Sequence, residues 1–421
     1  MKKISYICAA ALLSLLLTSC KANYKDNIVN ISILNSKPEI VAELNDVIKD
    51  FTKENSNINI KVVKYSQTGS YIEKLNSLKA AKNLPTLTLM DSAHVKDFID
   101  IGTDLSSEPW INEISGGVPD IAKNDKGEIA AFPFSTEGIG FIYNKKVIDE
   151  AGIDINNINT ISSLEDAFKK INSIGKNALI VTNEEWSLGD HFSSTFYSVD
   201  SKSSSSMAGY FENLKAGSGN LNQNTALNGL IDVFDIMKSY NMYSDSPLTP
   251  SYDKCAEVLG RGEVGFCYMG NWASQNILNA SGENKDFGFI PVPLSNNASD
   301  YGNNEISMGI TKYFILDKNN SVEQQEAAKQ FLNYLVYTER GNKFLVEDCG
   351  IIPAFSNIAN TNDDPLVKDL LKYRNSGHTL ELMTSYLKIN NSPVIGGALR
   401  KYLNNEISRE DLINQISDFW S

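Results

Sequence analysis

Residues 131–154 read AFPFSTEGIGFIYNKKVIDEAGID. A short apolar run closes at Pro133, a polar knot follows (Ser135, Thr136, Glu137, Gly138), and Ile139 to Tyr143 is apolar again. Asn144 to Ala151 has helical spacing and stops at Gly152, where a glycine ends a helix at little cost. The pattern predicts strand, crossover, strand and helix, with a carboxylate at the crossover. A glutamate between two apolar runs reads either as a buried group that needs a polar partner or as an exposed, salt-bridged one. Runs this short leave both readings open.

On the N-terminal side, Ile28 to Leu34 alternates as a strand. Glu39 to Phe51 has apolar residues at helical spacing, Asn57 to Tyr65 is a second strand, Tyr71 to Ala81 a helix, and Leu84 to Met90 a third strand ending at Asp91. Strands alternating with helices over short links predict an α/β lobe with a mainly parallel sheet. Ligands in such sheets sit beyond the carboxyl ends of the strands. Those ends supply Asn35, Ser36, Gln67 and Asp91 as candidate contacts, although loops are polar for other reasons too. On the C-terminal side, Ser162 to Ile174 is helical, Ala178 to Val181 is a strand running towards Trp186, and Ala226 to Tyr240 is a long helix. Ser201 to Ser206 reads as a low-complexity loop, and Trp110 as the anchor of a surface segment.

Length and composition narrow the function. The 421 residues are 42% hydrophobic, enough for two packed lobes, and carry a formal net charge of −13. That balance argues against nucleic acid and against electrostatic docking on anionic lipid. Only three histidines occur, far apart, and HExxH, GxSxG and P-loop signatures are missing. Carboxylates are plentiful, but nothing marks two of them as a glycosidase pair. No metal or cofactor is implied. Gly260 to Gly265 matches GxGxxG, yet the helix precedes it and the strand follows, the reverse of a dinucleotide site. Cys255, Cys267 and Cys349 have no CxxC spacing, so neither zinc nor a disulfide framework is indicated. Cys267 reads as a small core residue, and a Cys255–Cys267 bridge stays open.

The first residues form a leader: Lys2 and Lys3, then an apolar run from Ile4 to Leu17 too short to span a bilayer. Leu17-Thr18-Ser19-Cys20 resembles the lipobox of bacterial lipoproteins, which implies a diacylated Cys20 as the first mature residue. Several further stretches resemble one family. IYNKKVIDEAGI (142–153), GRGEVGF (260–266) with Gly270-Asn271-Trp272, FGFIPVPL (287–294) and Ile351-Ile352-Pro353-Ala354 follow the order seen in extracellular solute-binding proteins of ABC importers, the group of the maltose-binding proteins.

The resemblance implies a two-lobed periplasmic-binding-protein-like α/β fold of type II, each lobe a mainly parallel sheet flanked by helices, with several hinge crossovers. It places a leader at 1–19, the lipidated Cys20 with a tether to residue 27, a first lobe at 28–137 with 290–320, and a second at 138–289 with 321–421. It implies a lipid-anchored, extracytoplasmic monomer that passes a small carbohydrate to the ABC permease and is not an enzyme. A non-sugar solute (polyamine, phosphonate or peptide) is the alternative, and a surface-anchored hydrolase a more distant one. Sugar binding needs hydrogen-bonding groups and an aromatic face. Glu137 and Asp91 are the charged acceptors. Trp272 and Trp186 are the stacking candidates, Asn271 accompanies Trp272, and Tyr301 and Met308 complete the set. Where relatives that bind long oligosaccharides place an aromatic near the C-terminus, this chain has Pro393-Val394-Ile395-Gly396-Gly397, which favours a short ligand.

Overall fold

The computed structural model describes residues 28–63, 71–202, 204, 206–217, 221–388 and 390–420. The leader, Cys20, the tether, Gln67 and parts of the serine-rich loop therefore lie outside the described residues. Ten strands form one continuous sheet. They are β1 (Val29–Leu34), β2 (Ile58–Val63), β3 (Leu87–Asp91), β4 (Phe132–Asn144), β5 (Asn177–Ile180), β6 (Val264–Gly270), β7 (Phe287–Ile290), β8 (Ile306–Leu316), β9 (Ile352–Pro353) and β10 (Thr379–Glu381). The main path runs β2-β1-β3-β8-β4-β6-β5.

As expected, β1 is parallel to β2 and β3, and β5 is parallel to β6. β8 runs antiparallel to β3 and to β4, and β4 antiparallel to β6 and β7. The predicted crossover between two strands is in fact the middle of one 13-residue strand, β4. Its first half, Phe132 to Ile139, pairs with β8; its second half pairs with β6 and β7. The polar knot stays in the ladder because β8 pairs along it, β9 pairs with Ser135 and Thr136 on the other side, and the Asn271 side chain takes the Gly138 N–H. The β4–β8 register slips at Pro133–Ser135 and again at Ser135–Thr136, and such irregularities re-aim side chains.

Apolar side chains gather on either side of this point. One cluster joins β1, β3 and the helix Val41–Glu54 around Phe51, Trp110 and Phe132. Trp110 is fully buried there, 5.0 Å from the Phe132 ring centroid, and anchors its segment from within the core. Another cluster joins the helices Ile161–Ser173 and Thr225–Ser239 around Phe141, Phe168 and Phe266. The helix Val322–Tyr337, assigned from sequence to the second lobe, packs into the first cluster through Ala328, Phe331 and Leu335. Phe331 meets Phe51 edge-on at 5.3 Å, so the boundary expected at residue 321 is not a packing boundary. The chain leaves that cluster only after Ile358. Cys255 and Cys267 are joined in a disulfide, with Cα atoms 6.5 Å apart, tying the helix Tyr252–Gly260 to β6.

Candidate functional site

A cavity of about 440 Å³ lies where β4 and β8 pass between the two groups of clusters. Its walls come from chain segments distant in sequence: Ser36 and Lys37 after β1, Asp91 to His94 after β3, Glu137 on β4, and Lys312 on β8. From the opposite side come Trp186, Asp190, His191, Trp272, Thr384, Leu387, Lys388 and Ser392.

Glu137 is the buried carboxylate that the sequence left undecided. Its partner is Lys37, whose Nζ donates to Oε1 at 2.9 Å, with both side chains about nine-tenths buried. Burial alone would raise the Glu137 carboxyl; the positive charges of Lys37 and Lys312 outweigh it and hold the group below its ordinary range. Burial alone would likewise depress the Lys37 ammonium, but Glu137 and the more exposed Glu39, also 2.9 Å away, keep it above its ordinary range. Lys312 pairs in turn with Asp91. Burial works against the Asp91 charge, yet Lys312 keeps its carboxyl below the usual value. The Asp91 side chain is 46% exposed, so solvent screens part of that attraction. The floor of the cavity thus holds two ion pairs that cancel, Lys37–Glu137 and Lys312–Asp91, with the half-exposed Glu39 as a third carboxylate.

The facing wall is aromatic. β6 ends at Gly270, and a Cβ there would stand 2.0 Å from the Trp272 ring, so only glycine lets the indole lie back across the strand end. Trp272 is 6.2 Å from Trp186, and the His191 ring sits 5.3 Å from Trp186 and 5.2 Å from Trp272. Trp186 also approaches Tyr252 at 6.3 Å. Burial pushes the His191 imidazolium down to about 4, so the ring is neutral near pH 7, and its Nδ1 has no hydrogen-bond partner. His94 Nδ1 and Ser36 Oγ, at the same cavity, are also unpartnered. Buried polar atoms are normally satisfied, so these three leave hydrogen-bonding capacity unused beside the cavity. Asp190 is raised to about 6 by burial, against the hydrogen bond it accepts from Asn391 Nδ2 at 3.0 Å.

The wall depends on two π-helical turns, Ser187–Phe192 and Ser392–Gly396, which touch through glycine. A Cβ on Gly189 would meet the Gly396 nitrogen at 2.7 Å, and one on Gly396 would meet the Glu185 carbonyl at 2.3 Å. The Gly396-Gly397 segment that lacks an aromatic therefore buttresses the wall instead of supplying a ring.

Ser36, Asp91, Glu137, Trp186 and Trp272 come together at the cavity, and Asn271 lines an adjoining groove. Asn271 Oδ1 accepts from the Gly138 backbone N–H at 3.0 Å, so it works as a brace. The other candidates stand elsewhere. Asn35 turns onto its own chain, accepting from the Lys37 N–H at 3.0 Å and donating to the Lys37 carbonyl at 2.5 Å. Met308 is buried in the core beside Ile142 and Leu370, because it lies in the β8 ladder opposite Gly138. Tyr301 is away from the cavity, its ring covered by the Lys202 ammonium at 3.2 Å. Lys37, His191, Lys312, Thr384, Leu387, Lys388 and Ser392 were missed in the sequence. Lys37 follows directly after the Asn35-Ser36 strand end, which is the one local signal that marked it.

The sequence profile of the bacterial extracellular solute-binding proteins matches residues 46–372. The chain belongs to that family. It is 21% identical over 299 residues to the melibiose/raffinose/stachyose-binding protein MelE of Bacillus subtilis, covering 68% of this chain and 64% of that protein. It is 22% identical over 245 residues to a maltotriose-binding protein of Pyrococcus abyssi, covering 58% of this chain and 47% of the relative. The match thus spans less than two thirds of either relative's length. Among solved structures, apo RafE of Streptococcus pneumoniae superposes with a TM-score of 0.75 at 18% identity, covering 94% of this chain and 97% of that one. A Bacillus licheniformis sugar transporter protein in complex with stachyose superposes with a TM-score of 0.71 at 16% identity, covering 93% and 98%. At these identities the likeness is one of fold, and it supports the two-lobed α/β class. The family consists of binding proteins and its name places it outside the cytoplasm. Among the described residues no group of three or more His, Cys, Asp or Glu could hold a metal ion, and no helix is long and apolar enough to cross a membrane.

Proposed function

We propose that this solute-binding protein captures a small carbohydrate between its lobes and delivers it to the permease of an ABC importer. The carrying observation is the pairing of an aromatic wall (Trp186, His191, Trp272) with a polar floor built on two ion pairs that cancel. A pyranose ring has an apolar C–H face for the first and a rim of hydroxyls for the second. Because Lys37–Glu137 and Lys312–Asp91 neutralise each other, the cavity offers charge-assisted hydrogen bonds without asking a bound ring for a net charge. The reading is in keeping with relatives named for melibiose, raffinose, stachyose and maltotriose.

The topology supports a closing motion. β4 and β8 carry the floor residues and also connect the two halves, while Trp186 and Trp272 stand on elements of the other half. A ring touching both sides stabilises whichever inter-lobe angle brings them together, and the permease reads that state. In this reading the mature chain begins at a lipidated Cys20, acts as a monomer at the outer face of the membrane, and leaves its ligand chemically unchanged.

Titration calorimetry of the mature chain against raffinose, stachyose, maltotriose and melibiose tests the proposal. At least one should bind, and Trp272→Ala should weaken it about 30-fold, the loss of roughly 2 kcal/mol expected of a central aromatic contact. Wild-type affinity in Trp272→Ala would place the ligand elsewhere.

A further inference from the structure

Beside the aromatic wall the cavity adjoins a larger groove of about 1040 Å³, the two sharing Lys37, Glu39, Glu137, Trp186 and Trp272. Its charge differs sharply from that of the floor. Eight carboxylates line it against two ammonium groups, Lys37 and Lys285, and Lys37 is already held by Glu137 and Glu39. Asp348 and Asp363 are paired with basic residues behind them. Glu43 and Asp253 are not: among the described residues neither meets a basic side chain, Asp253 accepts only a long hydrogen bond from Asn276 Nδ2 at 3.4 Å, and Glu43 Oε2 is buried without any hydrogen-bond partner. Two hydroxyls lining the same groove are also orphaned. Ser135, 1% exposed at the β4 register slip, and Ser274, 5% exposed just after Trp272, each have an Oγ without a partner. Buried hydroxyls left unpaired are costly, and both residues line this groove.

We infer that this groove is a second subsite and that it takes the ammonium group of an amino sugar joined to the ring stacked on Trp272. The inference rests on the sugar reading above and adds the chemistry of the next residue of the ligand. Glu43 lines the groove from the first half and Asp253 from the second, so a cation in the groove is attracted towards both walls and favours closure. The orphaned serine hydroxyls suit the ring oxygens and hydroxyls beside the amine. A neutral sugar fits the groove sterically but leaves Glu43 and Asp253 unanswered.

Calorimetry of the mature chain with the glucosamine trimer and its fully N-acetylated counterpart, at mildly acidic pH where the amines carry protons, tests this. The free-amine trimer should bind about tenfold more tightly, the most that two partly exposed ion pairs supply together, and the preference should shrink as salt is raised. In Glu43→Gln/Asp253→Asn, isosteric changes that remove only charge, the ratio of the two affinities should fall to about one. A wild-type ratio of one or less, a salt-independent ratio, or a ratio unchanged in the double variant overturns the subsite. If neutral trisaccharides still bind in that case, only the subsite fails. If no saccharide binds, with or without amines, the sugar reading fails and the subsite with it. The salt dependence is measured on the wild-type chain, so the inference stays refutable should the double variant fold poorly.

Discussion

Replacing Lys37 by methionine isolates the pair that holds the cavity floor. Methionine keeps the length of the apolar stem and removes the ammonium, leaving the Glu137 carboxylate buried at 10% side-chain exposure without its 2.9 Å partner. Breaking a buried ion pair from one side costs about 3–5 kcal/mol, because the remaining charge is desolvated without compensation. Lys312 still acts on Glu137 from a distance, which puts the expected loss near the lower end, about 3 kcal/mol. Glu39 adds little, since its side chain is half exposed. For halves of this size the melting temperature should fall by roughly 6–12 °C.

The pH dependence is the sharper readout. In the wild-type protein the Glu137 carboxyl is held below its unfolded value, so its contribution is present above the unfolded pKa and lost as pH falls through the folded one. In Lys37→Met, burial takes over and raises the carboxyl above its unfolded value. Stability contributed by this group is then present below the unfolded pKa and lost as pH rises through the folded one. Denaturant titrations across the acidic range should therefore show the Glu137 slope changing sign between the two proteins. Adding Glu137→Gln to Lys37→Met should recover most of the loss, because the orphan charge is gone. Equal stability of Lys37→Met and wild type at every pH, or no recovery in the double variant, would refute the reasoning.

Gly270→Ala places a Cβ 2.0 Å from the Trp272 ring and should displace it, so sugar affinity should fall about as far as in Trp272→Ala while the circular dichroism of the fold persists. A Gly270→Ala protein with undiminished affinity would show that the ring is not a platform. Asp190, raised to about 6 by burial, contributes stability that is present below its unfolded pKa and lost as pH rises through about 6. Asp190→Asn should remove that decline, at most ~3 kcal/mol between a pH below the unfolded carboxyl's pKa and neutral pH, as read from denaturant midpoints. A slope identical in both proteins would assign it to another group.

Much of the fold was legible in order. Periodicity located β1, the helix beginning near Glu39, and the helix–turn–strand from Tyr252 to Gly270, because each is decided by contacts within one element. It mistook the middle of β4 for a loop, since Ser135 to Gly138 is polar for reasons that lie on β8, β9 and Lys37. Periodicity also could not say which half the helix Val322–Tyr337 joins, because its apolar face suits either core and only packing against Phe51 decides.

The site divides in the same way. The residue types that a sugar needs, Trp186, Trp272, Glu137 and Asp91, could be named from the chain because strand ends, short motifs and family order mark them. Their grouping could not. Lys37 and Glu137 are 100 residues apart, Ser92 and Thr384 are 292 apart yet share a hydrogen bond of 2.9 Å, and the neutrality of the floor exists only once those distances are closed. The linear chain determined which chemistries were on hand, since side-chain type and local spacing are properties of the sequence itself. Tertiary structure alone decided which charges cancel and which stay unanswered in the groove, because Coulomb attraction and desolvation depend on separations in space that the chain does not record.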